Sequence, residues 1–274
     1  MTILQSILLG IIQGLTEFLP ISSSAHLVIV PYILRWNIPA DEAFIFDVLV
    51  QVATLLAVLV FFYQDLLAIT RAFFAGLLRK KPFQDPQARL GWYLILATIP
   101  AGVVGLVMKD IVEQAFANPV ASAFFLLLTA GMLTIAERVG KRTRTMENLS
   151  WIDALWIGCA QVFAIFPGVS RSGATISGGM TRDLERPAAT RFAMILSIPI
   201  MLSAGLLAGL DLLQIPHFTG LLKVFAPGLL ASAITGYLSI RWLLRYLARH
   251  PLYVFSIYCT LLALFVLGIA FLGE

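Results

Sequence analysis

Apolar runs long enough to cross a bilayer follow one another along almost the whole chain, and that succession excludes most folds. The longest fall at about residues 43–63, 90–108, 118–136, 187–210, 221–244 and 251–272. Each approaches or exceeds the roughly 20 residues a helix needs to cross ~30 Å of hydrocarbon. Backbone polar groups cannot be left unpaired in lipid, so runs of this length and continuity are read as helices. With 59% hydrophobic and 12% charged residues, little chain is left for a soluble domain. The expectation is an all-α polytopic integral membrane protein forming a single membrane domain over residues 1–274.

Two further apolar stretches are interrupted. Residues of about 2–19 and 27–36 flank the polar knot Gln13–His26, QGLTEFLPISSSAH, and the second piece is too short to span. Residues Trp151–Phe166 likewise break at Pro167-Gly168, opening a second knot, PGVSRSGAT, that ends at Thr175. Each interrupted stretch reads as a re-entrant helical hairpin, entering and leaving from one side.

The basic residues then fix a path. Arg71, Arg79, Lys80, Lys81 and Arg89 form one group; Arg138, Lys141, Arg142 and Arg144 a second; Arg182, Arg186 and Arg191 a third; Arg241, Arg245 and Arg249 a fourth. With alternating spans all four fall on one side, the cytoplasmic one. The turn carrying Lys109, Asp110, Glu113 and Asn118, and the connection carrying Asp211 and His217, fall opposite. The chain thus divides into residues 1–136, a cytoplasmic linker 137–150, and residues 151–274, each half a hairpin plus three spans. Three is odd, so the second half is an inverted-topology repeat of the first. Gln13…Phe18 followed by Pro20 and Ser23 has a weak echo in Gln161…Phe166 followed by Pro167 and Ser170.

The same loops account for the net charge of +4 without a nucleic-acid partner. Cys159 and Cys259 lie in apolar segments, where free cysteine acts as a small hydrophobe, so neither a disulfide nor a metal site is expected from them. No Lys or Arg precedes Arg35, and Gln13 and Glu17 interrupt the first run, so the N-terminus reads as mature protein and not as a signal peptide.

Hairpins entering from opposite sides meet near the bilayer midplane, where Glu17 and Arg171 each cost at least ~2.5–3.5 kcal/mol unless paired or solvated. That cost points to a functional site; the competing reading is an ion pair that pins two hairpin tips. PGVSRSGAT has the make-up of an anion cradle. Gly168 and Gly173 let backbone N–H groups approach a ligand, Ser170, Ser172 and Thr175 add donors, and Arg171 offers a two-pronged guanidinium. A helix starting near Ser172 adds its positive end. In the first knot Ser23 and His26 are three apart, so on a helix the imidazole can take the hydroxyl proton; Glu17 either orients His26 or acts as the base. Gln13 is one turn before Glu17, on the same side. Asp47 and Gln51, four apart on the first full span, are candidates to line the same cavity.

At these residues the chain resembles the undecaprenyl pyrophosphate phosphatase (bacitracin resistance) family. Gln13, Glu17, Pro20, Ser22, Ser23 and His26 match its first signature, and Pro167, Gly168, Ser170, Arg171, Ser172 and Thr175 its second. The segment around Gln51, FDVLVQVATLLAV, is similar as well. Many members carry Glu at the position of Gln13, and commonly Thr-Gly at Ser24-Ala25. The resemblance implies an enzyme of the bacterial cytoplasmic membrane that removes the terminal phosphate of a C55 polyprenyl pyrophosphate lipid at its extracytoplasmic face. It further implies recycling of the carrier for peptidoglycan and other envelope polymers, bacitracin resistance, a homodimer, and a divalent cation, Mg2+ or Ca2+, for which Glu17 is the metal ligand in this chain. The expected chemistry places the pyrophosphate on Arg171, with Gln13, Ser22, Gln51, Gly168, Ser170, Ser172 and Thr175 binding substrate, Ser23 attacking phosphorus, and His26 with Glu17 managing the proton. Inverted repeats with broken helices are also a transporter architecture, so a polyprenyl-phosphate or anion transporter is the alternative.

Overall fold

A computed structural model describes residues 1–108, 118–212 and 218–272 of the chain. Lys109, Asp110, Glu113, His217 and the side chain of Asp211 lie outside the described residues. Eleven α-helices occur among the described residues: α1 (Ile3–Thr16), α2 (Ser23–Ile33), α3 (Ala40–Phe61), α4 (Tyr63–Leu78), α5 (Pro86–Val107), α6 (Pro119–Val139), α7 (Trp151–Val162), α8 (Arg171–Thr181), α9 (Arg186–Leu212), α10 (Phe218–Leu247) and α11 (Tyr253–Leu272). Six of them, α3, α5, α6, α9, α10 and α11, are long and apolar enough to span a membrane. The six expected spans and the all-α class therefore stand.

Helix ends follow local chemistry. Asp85 and Asn118 accept from the first free N–H groups of α5 and α6, each with proline at the first helical position, where no N–H is needed. Ser150 and Asp153 form a reciprocal capping box on α7.

One element departs from expectation. The segment after the first full span, read as a basic loop, is the helix α4. Phe62 (φ −102°, ψ 19°) breaks the run, and α4 turns back with Ile69 and Phe73 against Gly91 of α5 and Gly76 against Ala88. Its apolar residues follow a 3.6 period around Asp65 and Arg71, the pattern of an amphipathic helix.

The position of α1 is set by its crossing with α10. A methyl group on Gly10 would lie 2.1 Å from the Gly228 carbonyl oxygen, and one on Gly14 would lie 2.4 Å from that of Ser232. Ser6, Gly10 and Gly14 thus face Gly228, Ser232 and Gly236, both series at intervals of four, so the two backbones touch as small residues allow in membranes. Ser6 Oγ donates to the Phe225 carbonyl (3.2 Å) and Ser239 Oγ to that of Leu15 (3.4 Å). Residue numbers rise together along this seam, so α1 and α10 run parallel. In the other half α7 approaches α5 with similar intimacy: a Cβ on Gly158 would lie 2.5 Å from the Ala97 carbonyl oxygen.

The basic connections converge at one end. Glu137, almost fully buried, accepts from Arg142, Arg186 and the Leu252 amide. Asp153, fully buried, accepts from Arg144 (2.6 and 3.0 Å), Arg182 (2.8 Å) and Ser150 (2.7 Å). Arg191 pairs with Asp65 at 2.6 Å. Burial works to raise the pKa of Asp153, but the donors Arg144, Ser150 and Arg182 outweigh it and hold the carboxyl well below the usual carboxylate range. A depressed native pKa contributes stability that is fully present above the unfolded value, about 3.9, and is lost as pH falls through the native value. Proteolytic protection of the 140–150 segment is therefore expected to hold from neutral pH down to about pH 4 and to loosen only in stronger acid. Asp153→Asn is expected to loosen it throughout that range, and an unchanged cleavage profile in this variant would remove the carboxylate from its assigned role.

Candidate active site

The end of α1, the 17–22 turn, the start of α2 and the start of α8 meet at one cluster. Glu17 closes α1 with its amide on the Gln13 carbonyl (2.8 Å), which keeps its side chain in register with that of Gln13 one turn earlier. Glu17 Oε1 pairs with Arg171 Nη2, while Oε2 accepts from Gln13 Nε2 (2.8 Å) and from Ser23 Oγ (2.5 Å). The Glu17 side chain is 8% exposed and that of Arg171 19%, so both partners are largely withdrawn from solvent and each is the other's counter-group. One carboxylate thus binds a guanidinium, an amide and a hydroxyl from three elements, the guanidinium lying 154 residues along the chain from it.

The expected pairing of Ser23 with His26 does not form. Ser22, the residue before α2, adopts φ 65°, in the left-handed region that costs a side-chain-bearing residue strain. This turns Ser23 toward Glu17 and leaves the Ser22 carbonyl 2.6 Å from His26 Nδ1. A carbonyl only accepts, so Nδ1 carries the proton, and Nε2 of the neutral ring accepts from the Tyr258 hydroxyl (2.7 Å). The two rings also stack, with centroids 5.7 Å apart. Both imidazole nitrogens are committed, and His26 holds the strained turn that presents Ser23.

The second knot is built differently from an open cradle. Ser170 caps α8 through its Oγ on the Gly173 amide (3.0 Å), Ser172 Oγ donates to the Leu19 carbonyl (3.0 Å), and Thr175 Oγ1 donates to the Arg171 carbonyl (2.8 Å). All three are buried, and they shape and dock the turn. Arg171, half-buried in the first turn of α8, is the group left facing the carboxylate. Gly168 adopts φ +105°, and a Cβ there would lie 2.4 Å from the Ser122 carbonyl oxygen; only glycine fits. Its amide donates to Ser24 Oγ (3.3 Å), so the two knots touch directly as well as through the ion pair.

Gln51 lies on α3 with an exposed side chain, and no hydrogen bond joins it to this cluster among the described residues; Asp47, one turn earlier, is half-buried. Three contributors were not singled out from sequence. Tyr258 engages His26 from 232 residues away, Ser24 links the knots, and Thr129 accepts from the Ser170 amide while donating to the Gly168 carbonyl. The signal available for Tyr258 was its hydroxyl within an apolar span, one that Ser256 and Thr260 share.

Residues 6–265 match the family described as bacitracin resistance protein BacA. Proteins named undecaprenyl-diphosphatase are similar over nearly full length. That of Thermomicrobium roseum is 41% identical, covering 97% of this chain and 98% of its own. That of Chlorobaculum tepidum is 42% identical, covering 96% and 95%, and that of Myxococcus xanthus 36%, covering 100% and 91%.

Proposed function

The chain belongs to the bacitracin resistance protein BacA family, and from that premise we propose that it hydrolyses undecaprenyl diphosphate to the monophosphate and inorganic phosphate at the Glu17–Ser23–Arg171 cluster. The observation that carries this reading is the single carboxylate that holds a serine hydroxyl on one oxygen and an arginine on the other. A nucleophile and a phosphate-binding cation are thereby each one hydrogen bond from the same base. The transporter alternative explains the broken helices but gives no reason for a serine hydroxyl donating to a buried carboxylate.

In this mechanism the terminal phosphate enters between Arg171 and Ser23, and the first turn of α8 adds its positive end. Ser23 Oγ forms a bond to the terminal phosphorus as the bridging P–O bond breaks. Glu17 takes the hydroxyl proton and passes it to the departing lipid monophosphate. Water then attacks the phosphoserine; Glu17 accepts its proton and returns it to Ser23 Oγ as the Ser–phosphorus bond breaks. Atoms and charge balance at both steps. His26, held by Ser22 and Tyr258, positions Ser23 and does not move the proton itself.

A divalent cation, Mg2+ or Ca2+, suits the donors in part. Gln13 Oε1 is a buried oxygen with no hydrogen-bond partner among the described residues, beside the Glu17 carboxylate. No group of three or more His, Cys, Asp or Glu suited to a metal occurs among the described residues, which fits a cation that takes most of its ligands from substrate phosphate and water. Glu17 and Gln13 would hold it, and when bound it would neutralise charge on the phosphate oxygens.

We further infer that α1–α2 and α7–α8 are re-entrant hairpins of an inverted repeat, with the site opening to the extracytoplasmic face so that the lipid carrier is recycled. Support comes from dimensions: eleven residues of α8 place Arg171 about 16 Å from the basic end at Arg182, roughly half the hydrocarbon thickness. The reciprocal packing of α1 on α10 and of α7 on α5 supports the two-fold relation.

The test is phosphate release from undecaprenyl diphosphate by the purified chain, with Ser23→Ala expected to abolish it to within about 10³-fold of background. Near-normal turnover in that variant would assign the attack to water on Glu17 instead of to serine.

A further inference from the structure

Arg241 and Arg245 are one turn apart on the last part of α10 and share a face, and Arg249 follows in the turn just past Leu247, beside Arg245. All three are exposed. Five arginines at this end are engaged by carboxylates: Arg142 and Arg186 by Glu137, Arg144 and Arg182 by Asp153, Arg191 by Asp65. Arg71, Arg79, Arg89 and Arg138 are exposed and scattered, without a stacked aromatic surface beside them among the described residues. Arg241, Arg245 and Arg249 enter no ion pair among the described residues.

Beside them runs an aromatic ladder with the same spacing. Trp242 and Tyr246 stack at 4.8 Å, and Tyr246 and His250 at 4.6 Å. Phe255, from the start of α11, meets Trp242 and Tyr246 edge-on at 6.3 and 5.6 Å, fixing the rings. Between ladder and arginines lies a cleft of about 560 Å³ lined by Trp242, Arg245, Tyr246, Ala248, Arg249 and His250. Among the described residues no carboxylate pairs with its arginines.

The ladder continues away from the cleft as an apolar track. Going back from Trp242 in steps of four, the same helix face exposes Leu238, Ile234 and Leu230, each more than half exposed. A soluble anion would use the cleft and leave the track bare. A molecule with a phosphate at one end and a hydrocarbon chain at the other uses both.

We propose that this face is a binding site for an anionic phospholipid. Arg245 and Arg249 take the phosphodiester with their guanidinium forks, the headgroup lies against the ladder, and an acyl chain follows Leu238, Ile234 and Leu230. The unpaired arginines favour a lipid of net negative charge over a zwitterionic one bearing the same phosphate. None of these residues belongs to the catalytic cluster, so the proposal stands or falls apart from the hydrolase reading.

The test places the protein in nanodiscs containing brominated-chain phosphatidylglycerol or, at equal mole fraction, brominated-chain phosphatidylcholine, and reads tryptophan fluorescence. Excess quenching by the glycerol lipid is expected, and it should vanish in Trp242→Phe, a substitution that keeps the aromatic packing. Arg245→Gln with Arg249→Gln should raise the mole fraction needed for half-quenching roughly ten- to thirtyfold while phosphate release from undecaprenyl diphosphate continues. Equal quenching by the two lipids, or an excess that survives in Trp242→Phe, would overturn the proposal. So would loss of the excess to inorganic phosphate beyond the loss in chloride of equal ionic strength, which would make a soluble anion the occupant.

Discussion

Replacing Arg171 with alanine is expected to lower kcat/KM for undecaprenyl diphosphate by about 10³- to 10⁵-fold, the range seen when a phosphate-clamping arginine is removed. Arg171 stands in the first turn of α8 with its guanidinium on Glu17, so a phosphate beside Ser23 meets it directly. The loss should fall on kcat as well as KM, because charge on the transferring phosphoryl group is stabilised in the transition state and not only on binding. Folding should survive: Glu17 keeps the Gln13 and Ser23 hydrogen bonds, and α8 remains capped by Ser170 and docked by Ser172. Arg171→Lys should recover only a minor part, since a point ammonium cannot engage carboxylate and phosphate as a planar fork does. Full activity in either variant would move the phosphate-binding role elsewhere.

The second large effect is expected from Glu17→Gln, a loss of about 10²- to 10⁴-fold, the usual worth of a positioned base. Glutamine fits the site without disruption. Its amide oxygen can face Arg171 while its nitrogen takes the place of Oε2, and Gln13 can rotate its amide to present the oxygen that now has no partner. Shape and hydrogen bonding survive, and proton acceptance does not. Phosphate release across a pH series reads the difference. A variant with wild-type rate would show that Glu17 serves the ion pair alone and would return the base role to His26.

The pairing of these two residues was legible in the sequence because charge inside a long apolar chain is costly unless it is matched. The spans were legible for the related reason that uninterrupted apolar length admits little but a helix. Relations that depend on backbone turns were not. Ser23 and His26, three apart, pointed to each other on helical spacing, but the left-handed conformation of Ser22 redirects both, and nothing in a run of three serines signals it. Ser170, Ser172 and Thr175 had the composition of an anion cradle; their hydroxyls instead cap and dock α8, because buried hydroxyls beside free backbone groups satisfy those groups first. Tyr258 reaches His26 only through tertiary packing. The helix α4 escaped because Asp65, Arg71 and the Arg79, Lys80 and Lys81 that follow have the look of a charged loop, although most of the residues between them are apolar.

The parallel seam between α1 and α10 has a consequence for how the site comes into being. Ser6 and the Phe225 carbonyl it binds are 219 residues apart, so the first helix made waits for one of the last. At bacterial rates of roughly 5–20 residues per second that interval is about 10–40 s, during which α1 has no backbone-deep partner and Glu17 no fixed position. Arg171 is translated within the same interval. A ribosome stalled before α10 therefore leaves a chain whose first helix lacks its seam, and Glu17 is held in place only when synthesis is nearly complete.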